Sequence, residues 1–162
     1  MSALRPPYAF AFSHPAHFIA LGFGAGLAPF APGTAGSLLA WALGWALGAA
    51  LSPVALLALA GVLFLAGVWA CDVAGRHLGV ADHGAMVWDE VAAFLMVLAV
   101  VPRDPAWQAA AFVLFRLFDI AKPPPIRYFE RRYGGGFGVM FDDLLAAGYT
   151  VLALSLAKRL FF

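Results

Sequence analysis

The sequence predicts an all-α membrane protein, a polytopic bundle of about five short apolar helices with a polar site facing the cytoplasm. Three observations predict it. Hydrophobic residues make up 64% of the chain and charged residues only 12%, with a mean hydropathy of +0.87, far from the average of soluble domains. The apolar residues fall in long runs separated by proline and glycine signals. The charges collect in islands between those runs. At 162 residues the whole chain, 1–162, reads as one membrane domain. A net charge of +1 gives no electrostatic case for nucleic acid. The single cysteine, Cys71, excludes an internal disulfide and a cysteine-rich zinc site, and reads as a small packing residue.

Residues 1–17 carry Arg5, three prolines and two histidines but no long apolar core or small-residue cleavage pattern. They are expected to be retained, on the side where they are made. Residues 18–30 are apolar and hold Gly22, Gly24 and Gly26. No strand leads into these glycines, so a dinucleotide loop is a poor reading and close helix packing a better one. Gly22, Gly26, Gly44 and Gly48 allow helix pairing within the chain or between copies in a homo-oligomer. In residues 31–37, Pro32 and Gly33 break the chain and Ser37 reads as the cap of the next helix. The backbone N–H groups from Gly33 to Ser37, with the Thr34 and Ser37 hydroxyls, suit an anion such as phosphate.

Residues 38–51 and 54–70 read as membrane-grade helices. The first is short against roughly 30 Å of bilayer hydrocarbon. Residues 72–90 form a polar island with Asp72, Arg76, His77, Asp82, His83, Asp89 and Glu90. Asp89 and Glu90 precede the apolar run 91–101. Adjacent carboxylates at a membrane edge repel unless a cation neutralises them; the plainer reading is a solvated helix start. His83 reads as a surface group more readily than as a ligand. A turn at Pro102–Pro105 leads to residues 106–120.

That run ends in the stretch Phe115-Arg-Leu-Phe-Asp-Ile-Ala-Lys-Pro-Pro-Pro-Ile-Arg, closing at Arg127. Arg116, Asp119 and Lys122, spaced by three, share one helix face, and the prolines from Pro123 stop the helix. Residues 124–133 read as a short basic amphipathic helix on the membrane surface. Gly134 to Gly136 let the chain fold back, and Asp142-Asp143 are expected to open the last helix, 144–156, with Lys158 and Arg159 at its far end.

With five crossings, the islands share one side with Arg5, Arg76, Arg116, Lys122, Arg127, Arg131 and Arg132. Arg103, Lys158 and Arg159 fall on the other. Seven bases against three place the islands in the cytoplasm. Thr34, Ser37, Asp89, Glu90, Asp119, Lys122, Asp142 and Asp143 then converge at headgroup level. An all-oxygen ligand set favours Mg²⁺ or Mn²⁺. Lys122 with Arg116 or Arg127 suits a transferring phosphoryl group. Two routes fit, water activated by a carboxylate base or direct attack by an aspartate.

The chain resembles the phosphatidylglycerophosphatase A family of bacteria. The resemblance rests on Gly22-Phe-Gly-Ala-Gly-Leu-Ala-Pro-Phe-Ala-Pro-Gly-Thr-Ala-Gly-Ser37, Asp82-His-Gly-Ala-Met-Val-Trp-Asp-Glu90, Phe115-Arg-Leu-Phe-Asp-Ile-Ala-Lys-Pro-Pro-Pro-Ile126 and Gly135-Gly-Phe-Gly-Val-Met-Phe-Asp-Asp143, in the family's order. It implies a Mg²⁺-dependent, multi-pass inner-membrane phosphatase that converts phosphatidylglycerophosphate to phosphatidylglycerol. It implies metal and catalytic roles for Asp89, Glu90, Asp119, Asp142 and Asp143, and phosphate contacts for Lys122, Thr34 and Ser37. Where the family commonly has glycine after the Asp-Glu pair, this chain has Val91-Ala-Ala-Phe; alanine is also small. A phosphotransferase acting on lipid alcohols is the main rival, and its acids usually lie along one helix. A transporter would place acids in the middle of apolar runs.

Overall fold

Eight α-helices and one 3-10 segment make up residues 5–161, the part of the chain that this computed structural model describes. The expectations for residues 1–4 lie outside it. Among the described residues no strand occurs. Two short helices, α1 (Tyr8–Phe12) and α2 (Pro15–Ala20), lead into the 3-10 segment Gly22–Leu27. Five longer helices follow: α3 (Pro32–Gly48), α4 (Pro53–Leu78), α5 (Trp88–Val100), α6 (Pro105–Ala121) and α8 (Gly135–Phe161). The short α7 (Ile126–Arg132) joins the last two.

Prolines open several of these helices. Pro32, Pro53 and Pro105 sit in the first turn, where a missing N–H costs nothing. Ser52 caps α4 by accepting from the Ala55 N–H, and Asp104 caps α6 by accepting from Ala106 and Trp107. Helix α4 stops at Gly79 in the left-handed conformation, with Val80 N–H bonded to the Gly75 carbonyl.

Three boundaries differ from the sequence expectation. Pro32 and Gly33 do not end a structure but begin α3, so Ser37 is not its cap. It lies inside the helix, buried, and its hydroxyl donates to the Gly33 carbonyl at 3.0 Å. Helix α4 continues past residue 70 through Asp72 and Arg76, which form an i,i+4 ion pair at 3.1 Å. Helix α8 begins at Gly135, so Asp142 and Asp143 stand two turns inside it.

The five long helices alternate in direction. One end of the bundle gathers the start of α3, the start of α5, the end of α6 and the first turns of α8. At the other end Arg103, in the α5–α6 turn, donates to the Leu51 carbonyl in the α3–α4 turn. Helix α5 is the hub, packed against α3, α4, α6 and α8 and buried along almost its whole length. Small residues allow the close approach. A Cβ on Gly136 would lie 1.9 Å from the Val68 carbonyl oxygen, and one on Gly67 would lie 2.6 Å from both Trp88 and Met140. Gly22, Gly26 and Gly44 are filled in the same way by Val87, Ala85 and Leu98. Trp88 Nε1 donates to the Leu63 carbonyl at 3.0 Å, fixing the start of α5 against α4.

Two helices, Pro53–Leu78 and Gly135–Leu160, are long and apolar enough to cross a membrane. Their outward faces carry exposed apolar residues such as Val54, Leu65 and Leu160, an arrangement that suits lipid better than water.

The N-terminal helices are held to α4 by histidines. His17 Nδ1 donates to the Phe10 carbonyl, which leaves Nε2 to accept from His77 Nδ1 at 2.7 Å. Burial pushes the His17 pKa down, the Phe10 carbonyl opposes this, and His77 and His14 push it further down. Below the ordinary value of 6.5, the unfolded chain therefore binds the proton more readily than the folded one. This stabilisation is complete above that pH and declines as pH falls through it. The melting temperature in detergent should drop on acidification from about pH 7.5 to about 5.5, and His17→Asn should flatten the drop. An unchanged slope in the variant would assign the titration elsewhere.

Candidate metal centre and phosphate site

Three carboxylates meet inside the bundle. Asp89 and Glu90 lie in the first turn of α5, and Asp143 lies two turns into α8. Each offers an oxygen within 4.8 Å of the other two. All three are buried. Asp89 Oδ1, Glu90 Oε2 and Asp143 Oδ2 have no hydrogen-bond partner among the described residues. Three buried anions repel one another, and unpaired buried charge costs several kcal/mol per group. The α5 N-terminus offsets only a fraction of that, about 0.3–1 kcal/mol. The solvated-start reading of Asp89 and Glu90 therefore fails, because neither is solvated. A divalent cation fits the site, and oxygen-only ligands fit a hard one.

Cationic side chains border the cluster. Arg116, in the last turns of α6, contacts Asp119 one turn on and Glu90 Oε1 at 3.3 Å. Its Nε is buried without a partner. Asp119 is also an electrostatic neighbour of Asp143. Gly33 lies directly over this pair. A Cβ there would fall 2.1 Å from Glu90 Oε1 and 2.9 Å from Arg116 Nη2, so only glycine lets α3 approach. The first intrahelical bond of α3 runs from Ala35 N–H to the Ala31 carbonyl. The Gly33 and Thr34 N–H groups are thus left at the helix tip, beside Glu90 and Arg116.

Lys122 joins the other elements. It takes the left-handed conformation (φ 43°) at the end of α6. Its Nζ donates to Glu130 on α7 at 2.7 Å and to Asp142 on α8 at 3.2 Å. Burial works against its charge, but Glu130 and Asp142 outweigh burial and raise its pKa, so it stays an ammonium.

The expected residues divide accordingly. Asp89, Glu90 and Asp143 form one cluster, with Asp119 beside it through Arg116. Asp142 is offset, holding Lys122 with Oδ2 and leaving buried Oδ1 without a partner. The expected shared face of Arg116, Asp119 and Lys122 holds for the first two only, since Lys122 leaves the helix. Thr34 follows Gly33 in the first turn of α3, whereas Ser37 spends its hydroxyl on its own helix. Arg127 is exposed and donates to the Ala121 carbonyl at 3.1 Å, with no carboxylate ion pair among the described residues. His83 Nδ1 accepts from the Ala85 N–H at 3.1 Å, a turn device outside the cluster. Glu130 was not among the expected site residues, and neither was Asp82, an electrostatic neighbour of Lys122, Glu130 and Asp119. Glu130 sits in a basic run that reads as headgroup anchoring, and only the fold brings it to Lys122.

An apolar helical fold thus holds a buried acidic cluster that could bind a divalent cation, flanked by arginine, lysine and a helix N-terminus. The family described as phosphatidylglycerophosphatase A matches residues 18–158, which contain all of these groups. The phosphatidylglycerophosphatase A of Haemophilus influenzae is 45% identical over 142 residues, 87% of this chain and 87% of that protein. The one from Escherichia coli is 44% identical over 138 residues, 83% of this chain and 78% of that protein. A protein of Bacteroides thetaiotaomicron, provisionally named a phosphatidylinositol-3-phosphatase, is 42% identical over 147 residues, 86% of this chain and 91% of that protein. The chain belongs to the phosphatidylglycerophosphatase A family. No solved structure matches it.

Mg²⁺ or Mn²⁺ should raise the melting temperature in detergent, by the equivalent of about 2.7 kcal/mol at a hundred times the dissociation constant. Asp143→Asn should abolish that response. A response of the same size in the variant would place the cation away from Asp143.

Proposed function

We propose that this chain is a Mg²⁺-dependent phosphatase of the membrane, which removes the terminal phosphate of phosphatidylglycerophosphate and leaves phosphatidylglycerol. Family membership supports the activity. The observation that carries the mechanism is the trio of buried, unpartnered oxygens on Asp89, Glu90 and Asp143. These three would hold the cation, with Asp119 beside them. When bound, the cation polarises the phosphoryl group and neutralises the carboxylates that would otherwise repel it.

The chain's own residues do the rest. Gly33 and Thr34 N–H groups, at the tip of α3, receive a phosphoryl oxygen. Arg116, locked by Glu90 and Asp119, holds positive charge beside the phosphate without having to reorganise. Lys122 holds Asp142 in place through Oδ2. The unpartnered Asp142 Oδ1 then takes the proton of the attacking water. The phosphorus–oxygen bond to the glycerol breaks, the leaving oxygen takes a proton from Asp142 or solvent water, and the resulting alcohol stays on the lipid.

The five long helices alternate in direction, so the carboxylates share an end of the bundle with Arg76, Arg116, Lys122, Arg127, Arg131 and Arg132. Only Arg103, Lys158 and Arg159 lie at the other end. That bias supports a site facing the cytoplasm of a bacterial inner membrane. A homo-oligomer is compatible with this arrangement.

The test is phosphate release from phosphatidylglycerophosphate in mixed micelles, with phosphatidic acid as the comparison. Mg²⁺-dependent release that favours the first lipid is expected, and indifference to EDTA would count against it. Asp142→Asn should lower kcat about 100- to 10,000-fold while the melting temperature still responds to Mg²⁺. Loss of both together would make Asp142 a ligand and not the base.

A further inference from the structure

The carboxylate cluster accounts for one phosphate, yet a sizeable cleft lies elsewhere. About 550 Å³ in volume, it lies along α7 and is lined by Pro124, Arg127, Tyr128, Arg131 and Arg132. Three guanidinium groups face this one space. Arg127 is fixed in place by its bond to the Ala121 carbonyl at the end of α6. Arg131 and Arg132 have no carboxylate partner among the described residues. The nearby acid on α7, Glu130, is already engaged by Lys122 at 2.7 Å. Like charges gathered without a counter-charge repel, so the cleft suits an anion, and guanidinium forks suit the paired oxygens of a phosphate.

The cleft is coupled to the cluster through a single side chain. Lys122 reaches Glu130 on α7 and Asp142 on α8, and Asp142 adjoins Asp143 in the chain. Lys122 thus links α7, the helix that carries the arginines, to the acidic segment of α8. Phosphatidylglycerophosphate has the matching form: a phosphomonoester and a phosphodiester joined by a short glycerol bridge, with the diester nearer the acyl chains. Tyr128 is 61% exposed and borders the cleft, a side chain suited to the boundary between headgroup and hydrocarbon.

We propose that Arg131 and Arg132, with Arg127, bind the phosphodiester of the lipid substrate, the phosphate that is not cleaved. The proposal rests on the phosphatase reading above and adds how the enzyme selects a substrate with two phosphates. The arginines are specificity-determining residues that touch neither the scissile bond nor the cation. Binding there orients the glycerol bridge, so that the terminal phosphate enters the cluster end-on.

The experiment compares the wild type with R131Q/R132Q in zwitterionic mixed micelles. For phosphatidylglycerophosphate the variant should show a KM raised about 10- to 100-fold, the worth of charge-assisted hydrogen bonds to one phosphate, with kcat nearly unchanged. Hydrolysis of phosphatidic acid, which has no diester, should be unaffected. An unchanged KM, a loss confined to kcat, or an equal loss on phosphatidic acid would overturn the proposal. A wild type that releases no phosphate from phosphatidylglycerophosphate would instead overturn the reading on which it rests. The Mg²⁺-induced rise in melting temperature should be identical in both proteins, showing that the variant is folded.

Discussion

Buried negative charge is the constraint to which the rest of this molecule answers. Asp89, Glu90 and Asp143 lie in an apolar bundle, each with an oxygen that no protein donor satisfies. Breaking up the cluster would be simple in evolution, since one substitution to leucine removes a charge. The structure instead surrounds it with compensation. Arg116 bridges Glu90 and Asp119. Glycine at position 33 brings a helix N-terminus within contact of the same pair. Lys122 holds Asp142. Each is a partial answer, and together they leave room for a cation. The charge also explains why α5 is central, since a helix at the edge of the bundle would leave its first turn in water or lipid.

Two strained positions lie at the same place. Among the described residues, Phe23, Ala31 and Lys122 are left-handed without being glycine, and the last two each precede a proline. Proline disfavours the right-handed helical region for the residue before it, and the left-handed region costs a non-glycine residue about 1–2 kcal/mol. Ala31 turns the chain so that the tip of α3 meets Glu90 and Arg116. Lys122 turns it so that its ammonium faces back to Asp142 rather than along α6. Both are the kind of backbone outlier that persists only where surrounding contacts hold it.

Much of this was legible in the residues, and what was not has a physical reason. Acids at separate places in the chain, all an even number of helices apart, were bound to share one end of an alternating bundle. Asp89 with Glu90 and Asp143 are where that logic puts them. Helix limits were less legible. A helix that is apolar all round has no polar face to mark its phase, so only prolines and glycines remain as punctuation. Pro32-Gly33 reads as a stop because both residues are breakers in a helix interior, yet proline is also favoured at a first turn. Asp142 and Asp143 read as a helix start because acids favour one. The glycines before them carry that helix two turns further back, where Gly136 packs on the Val68 carbonyl. Ser37 has the same cause: with the start moved to Pro32, its hydroxyl points along the helix. The Lys122–Glu130 pair spans a proline turn whose path no periodicity encodes.

Depth then decides how a substrate must enter. Trp88, at the start of α5, sits level with Gly67 of α4 and Met140 of α8. Helix α4 continues eleven residues beyond Gly67, to Leu78, about 16 Å at the usual rise. Helix α8 begins five residues before Met140. The cluster therefore lies below a rim built from α4, α7 and α8, and α5 is only 13 residues long, about 20 Å against roughly 30 Å of hydrocarbon. A phosphate cannot descend to that level alone, because losing water without a counter-charge is prohibitive. The route down must be lined with positive charge, and Lys122 is the residue that reaches both α7 at the rim and Asp142 beside the floor. A lipid meets this geometry better than a soluble phosphate ester does, since its acyl chains stay in the bilayer while its headgroup turns inward.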